Sequence, residues 1–239
     1  NRWMVALGRQ KRNEAPSDDY MKLQWFGHGT LLVAERADDG DYVWVNSNGT
    51  LSGTDYTNNL TFSRIRYQKG AVLSHYAGDT FYMSEYVDAA GTTWMVRDVQ
   101  PSIDFVNRRL LIGCRTTDMR HNVIYDLDAV LALGKETVEI TRTWGGETAA
   151  EGVTEKKTET TSVEVRNLNR LTPLGSFRLP SYLNTGQTHQ VYSYSHQGQA
   201  VWGDYVYWYE GQAIQQTGEL YDGSVAYVAV FDYTGKLVC

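Results

Sequence analysis

The sequence predicts an all-β protein, arranged as a β-propeller of about four to five antiparallel blades, with a β-sandwich as the alternative. Three observations predict it. Helical periodicity is nearly absent. Short strand-like runs alternate with turn signals along the chain. A phrase also recurs: GDYVWVNSNG (Gly40–Gly49) and GDYVYWYEGQ (Gly203–Gln212) both write Gly-Asp-Tyr-Val and then an aromatic residue. In each, Gly-Asp closes a tight turn and Tyr-Val-aromatic starts a strand. A radial array of duplicated sheets requires such repetition and a sandwich does not.

The elements follow in order. Strands are expected over Arg2–Gly8, Met21–Gly27, Thr30–Arg36 and Asp41–Ser47, with Asp-Gly and Asn-Gly turns between the later ones. Further strands are expected at Leu60–Gln68, Thr80–Val87, Thr92–Val99, Asn107–Thr117 and in RHNVIYDLD. One short helix is expected at Asp126–Glu136, capped by Asp126 or Asp128 and ended by Gly134. Glu136–Trp144 and Thr161–Leu168 flank a polar stretch, 145–161, that has little to bury and reads as an exposed hairpin tip or insertion. The last third holds HQVYSYSHQ, QAVWG, DYVYWYEG and SVAYVAVFDYTGKLVC.

The copies of the repeat begin near Phe26, His75, Pro101 and His196; the first and last carry the phrase, and the copy near His75 is looser. Each offers two or three antiparallel strands. No Pro- or Gly-rich linker divides the chain, which has only 4 Pro, so residues 1–239 read as a single domain. The start at Asn leads us to expect a processed chain or a module of a longer one.

Composition bounds the partners. Of 239 residues 42% are hydrophobic and 21% charged, enough for a real core. The net charge is −6 and basic residues do not cluster, so nucleic acid is not an expected partner. No apolar run approaches the roughly 20 residues of a membrane helix, so membrane insertion is not expected. The 2 Cys, Cys114 and Cys239, form no disulfide framework and read as a buried strand residue and a terminal one.

The ordered set FGHGTLLVAER…DYVWV, TFSRIRYQKG, IDFVNRRLLIGCRTTDMRHNVIYDLDAV and HQVYSYSHQGQAVWGDYVYWYEG resembles the helveticin J-like family. These are propellers of large bacteriocins and of tail or baseplate proteins of phages that infect Gram-positive bacteria. The resemblance spans about residues 20–235. It implies a cell-surface recognition or killing role, and no catalytic set comes with it.

Catalytic motifs were sought next. P-loop, Rossmann, nucleophile-elbow and HExxH patterns are absent. The His residues lack metal spacing, so no cofactor and no metal are expected. Asn46, Asn48 and Asp55 form an oxygen-rich loop that departs from the EF-hand spacing, and turn chemistry explains it. Glu35, Asp41, Glu85, Asp98 and Asp104 are the carboxylates a glycosidase would need in pairs; at turns and strand ends such residues usually serve the backbone or solvent.

Binding residues are easier to nominate. Aromatics reach 13%, with 17 Tyr and 7 Trp. Alternation puts Tyr205, Tyr207 and Tyr209 on one strand face and Val206 and Trp208 on the other. One face must be core; the other is a platform on which sugars could stack. His28 and His196 precede matching strands and could face a common ligand. The expected protein is therefore a non-enzymatic recognition or structural module. We expect a phage tail-tip or receptor-binding (minor tail) protein, in the virion or extracellular, contacting a bacterial envelope glycan or neighbouring virion proteins, oligomeric within a larger assembly. The alternatives are a propeller glycoside hydrolase or lyase and a bacteriocin-like toxin.

Overall fold

A computed structural model describes residues 4–10, 13, 18–26, 32–47, 59–74, 76–116, 119–145, 156–180, 196–214 and 223–239. Among these residues the protein is all-β, 66% strand and 5% helix, with several sheets and none closed into a barrel. No helix among these residues is long and apolar enough to cross a membrane.

In chain order the strands are β1 (Met4–Gly8), β2 (Tyr20–Gln24), β3 (Leu32–Ala37), β4 (Gly40–Ser47), β5 (Thr61–Arg66), β6 (Val72–Ser74), β7 (Asp79–Tyr82), β8 (Glu85–Val87) and β9 (Thr93–Met95). There follow β10 (Arg97–Asp104), β11 (Arg109–Arg115), β12 (Met119–Asp126), helix α1 (Leu127–Ala132), β13 (Lys135–Gly145) and β14 (Lys156–Asn167). A short 3-10 turn leads to β15 (Gly175–Pro180), β16 (His196–Trp202), β17 (Tyr205–Ile214) and β18 (Gly223–Asp232). The chain forms two compact units, and it crosses between them several times. Neither unit is one continuous stretch, which is why no linker is visible in the sequence.

The first unit comprises Asn1–Ser84, Arg97–Pro101 and Leu133–Arg170. It holds a six-stranded sheet in the order β13-β14-β7-β5-β4-β3 and a three-stranded sheet β1-β2-β6. All pairings in the large sheet are antiparallel except β7 with β14. Alternation gives each strand two faces. Val45 and Ile65 pack on Met21, Leu23 and Phe26. On the opposite face Trp44, Phe62 and Phe81 form an aromatic cluster, with Phe62 and Phe81 stacked 4.9 Å apart.

Gly78 makes the approach to β7 possible. Its φ is +82°, and an added Cβ would lie 2.3 Å from the carbonyl oxygen of Arg64. Gly78→Ala therefore meets both a left-handed backbone and a rigid clash. The expected cost is about 2–4 kcal/mol, read as a lower urea midpoint at unchanged m-value.

The second unit comprises Glu85–Val96, Ser102–Ala132 and Leu171–Cys239. It contains a four-stranded sheet β10-β11-β12-β15, a three-stranded meander β16-β17-β18 and the small β8–β9 hairpin. The first two pack face to face as a sandwich. Leu111, Ile124, Phe177 and Leu179 come from one sheet, and Val201, Val206, Trp208, Ala229 and Phe231 from the other. Pro101 lies in β10, an edge strand, where a missing N–H is tolerated. Asp126 caps α1 as its sequence predicts, accepting the Ala129 N–H at 2.9 Å.

The repeated phrase occupies matching places. β4 and β17 are each the middle strand of an antiparallel meander. The turns differ by two residues, however. Gly40 pairs with Ala37 across an Asp38–Asp39 turn, whereas Gly203 and Asp204 are themselves the turn between Trp202 and Tyr205.

Three expected elements need correction. Thr80–Val87 is not one strand: β7 ends at Tyr82, and β8 pairs only with β9. Thr92–Val99 likewise divides between β9 and β10, with Asp98 at φ 64°. The polar stretch 145–161 is partly strand, since Lys156–Thr161 pairs with Ile140–Gly145. Thr-rich sequence suits an exposed ladder, and the Thr141 and Thr160 hydroxyls bond across it at 2.8 Å. Backbone pairing continues the hairpin without apolar burial; residues 146–155 lie outside those described.

Candidate functional site

The meander β16-β17-β18 is built so that one face is dry and the other open. Register pairs Val206 with Val201 and Phe231, and Trp208 with Gln199 and Ala229. These point into the sandwich, and Trp208 is 2% exposed. Its indole N–H donates to Glu210 Oε1 at 2.7 Å. Trp208 is thus a core residue and takes no part in an exposed site.

The opposite face carries Tyr205, Tyr207 and Tyr209. Tyr205 is 42% and Tyr209 41% exposed; Tyr207 is half-buried. Register adds Trp202 beside Tyr205, and Trp202 is 55% exposed. Tyr207 sits between Ala200 and Val230, and Tyr209 between Gly198 and Val228. The neighbours on β16 are small, Gly198 and Ala200, and Val228 on β18 is itself 58% exposed. The result is an open sheet face that carries Trp202, Tyr205 and Tyr209, side chains whose flat apolar rings with a polar edge suit flat, partly apolar, partly polar ligands. Sequence reasoning missed Trp202. The signal was the two-residue Gly-Asp turn, which brings the residues flanking it face to face.

The platform is held by its turn. Asp104 Oδ2 accepts the Gly203 N–H at 2.8 Å and the Asn107 side-chain amide at 2.6 Å. Its Oδ1 accepts the Val106 and Asn107 backbone N–H groups, both at 2.9 Å. Burial works to raise this carboxyl's pKa, but the bonds from Asn107, Gly203 and Val106 outweigh it and hold the pKa low. Asp104 therefore serves the backbone.

His28 lies outside the described residues. His196 starts β16 and faces inward, its ring 4.0 Å from that of Trp208. Burial and the charge of Arg120 push its pKa down to about 3, against a raising bond with the Gly198 backbone. It is a neutral core imidazole and no part of the platform.

Two more of the carboxylates weighed for catalysis are, like Asp104, engaged by other protein groups. Glu35 accepts two bonds from Arg64, at 2.7 and 2.9 Å, and one from the Trp44 indole at 2.7 Å. Asp41 bonds Arg9 and Arg36. Asp98 is buried, and its N–H donates to the Asn59 carbonyl at 2.7 Å. Asn46 of the oxygen-rich loop is buried in β4, while Asn48 and Asp55 lie outside the described residues. Cys114 is buried in β11 and Cys239 exposed, both as free thiols.

No protein-family model matches the chain, and no curated protein matches it either.

Proposed function

We propose that the chain is a non-enzymatic recognition module that holds a bacterial envelope glycan on the outer face of β16-β17-β18. In this reading it is a tail-tip or receptor-binding component of a phage, working in the virion or outside the cell. The observation that carries the binding reading is the exposure of Trp202, Tyr205 and Tyr209 together on one face among small residues. Exposed aromatics usually occur singly; grouped on one face they mark a contact surface. The phage setting rests on the sequence resemblance to helveticin J-like proteins. The propeller belongs to the same proposal, supported by the repeated Gly-Asp-Tyr-Val phrase in two meanders.

The test is attachment to purified envelope glycan. Trp202→Ala, Tyr205→Ala and Tyr209→Ala should each weaken retention by about 0.5–1.5 kcal/mol, or roughly two- to tenfold. Glu35, Asp41 and Asp98 changed singly to Ala should leave retention within a few-fold once loss of folded protein is corrected for. Undiminished retention in all three aromatic variants would remove this face from the reading. Sugar released from the glycan, and abolished by a single Asp or Glu substitution, would establish the hydrolase alternative instead. Killing of cells by the isolated chain would favour the toxin.

A further inference from the structure

The inner side of the same meander presents a different chemistry. Asn122 on β12 is fully buried, and among the described residues neither its Nδ2 nor its Oδ1 has a hydrogen-bond partner. Gln199 on β16 is 8% exposed with an unpartnered Nε2, and the Nε2 of His196 is buried and unpartnered too. Buried polar atoms in folded proteins are almost always satisfied, because leaving water without a replacement bond is costly.

These groups share one place. Asn122 lies opposite Gly113 in the β11–β12 register. The Gln199 side chain lies on Gly113, where an added Cβ would fall 1.8 Å from Nε2. Gln199 pairs with Trp208, on which the His196 ring rests. Phe177 stands beside Asn122 on β15, and Leu111 and Ile124 continue the same inner faces. The set is therefore a polar cluster at one end of an apolar core, with Arg120 near His196 and Glu210 paired with it across the strands.

The unmet capacity is mixed. Asn122 offers donors and an acceptor, Gln199 a donor, and neutral His196 one ring nitrogen that either donates or accepts. A bare cation or anion would satisfy only half of it. A small neutral molecule that both donates and accepts satisfies all of it, and full burial at Asn122 restricts its size. We propose that ordered water occupies this site as a fixed internal ligand, bridging Asn122 and Gln199 across the two sheets and reaching His196. Buried water of this kind typically makes about three bonds to otherwise unsatisfied groups. The bridge sets the register of β16 against β12 at the end of the core where apolar packing gives out.

The experiment is solution NMR on the intact chain, with water as the probe. The side-chain amide protons of Asn122 and Gln199 should both show cross-peaks to long-lived water. Asn122→Leu should abolish the water cross-peak at the Gln199 amide while the backbone spectrum stays folded. If that variant does not fold, Gln199→Met reads the same bridge from the other side, with complete loss of the water cross-peak at Asn122. Wild-type amides that show no long-lived water would overturn the proposal. So would a water cross-peak at either amide that survives removal of the other.

Discussion

Acidification should destabilise this protein progressively from about pH 6.5 downward, ahead of its carboxylates. The cause is a pair of neutral histidines in the second unit, His121 fully buried and His196 half-buried. His121 is fully buried, its Nδ1 2.9 Å from the Tyr86 hydroxyl and its Nε2 3.3 Å from the Thr116 hydroxyl. Burial, helped by the charge of Arg178, lowers its pKa to about 4. His196 is lowered to about 3, by burial and then by Arg120. Unfolded, both return to an ordinary value of 6.5. Between those limits the unfolded chain binds protons that the folded chain does not. Stability is thus complete above pH 6.5 and is lost as pH falls toward 4 and then 3. From pH 7 to about 4.5 the loss is roughly 2–3 kcal/mol for each histidine. Urea midpoints across that range measure it. His121→Asn or His196→Asn lowers the starting stability but should flatten the pH slope by about half. A midpoint that does not move between pH 7 and 5 would refute the assignment.

Phe81→Ala should cost the first unit about 3–5 kcal/mol. Phe81 is fully buried at the point where β5 and β14 meet β7, pairing with Phe62 on one side and Arg166 on the other. Its ring stacks on Phe62 at an interplanar angle of 5° and lies 5.1 Å from Trp44. Trp44 is itself tied through its indole N–H to Glu35, which Arg64 clamps. Truncation leaves a cavity among three sequence-distant strands, and the rigid rings and ion pair limit collapse into it. Phe81→Leu should cost distinctly less, because it keeps most of the volume. Urea unfolding followed by tryptophan fluorescence would check both. A cost under about 1 kcal/mol for Phe81→Ala would show that the cluster does not hold the sheet.

Much of the local structure was legible. The alternation in DYVYWYEG separated Tyr205, Tyr207 and Tyr209 from Val206 and Trp208, and the structure keeps them on opposite faces. The helix expected over Asp126–Glu136 was legible in part: Asp126, one of its two candidate caps, caps it, but it spans only Leu127–Ala132 and Glu136 belongs to the next strand. The candidate site was half legible. Trp202 escaped notice because its place beside Tyr205 depends on the pairing across the turn. His196 and Trp208 looked available for a ligand until the second sheet was seen to cover them.

The division has a physical reason. Side-chain period, turn residues and caps act over a few neighbours, so the sequence by itself determined the all-β class, most strand positions and the two equivalent Gly-Asp-Tyr-Val meanders. Which face of a strand becomes core depends on the sheet that stacks against it, and that partner is remote in sequence. The tertiary structure alone decided that Arg166 pairs in parallel with Phe81 and that the chain threads two units. It alone decided that Glu35 is spent on Arg64, and that Asn122 and Gln199 meet over Gly113. Hydrogen bonds between distant strands carry no local signature, because every residue brings the same backbone donor and acceptor.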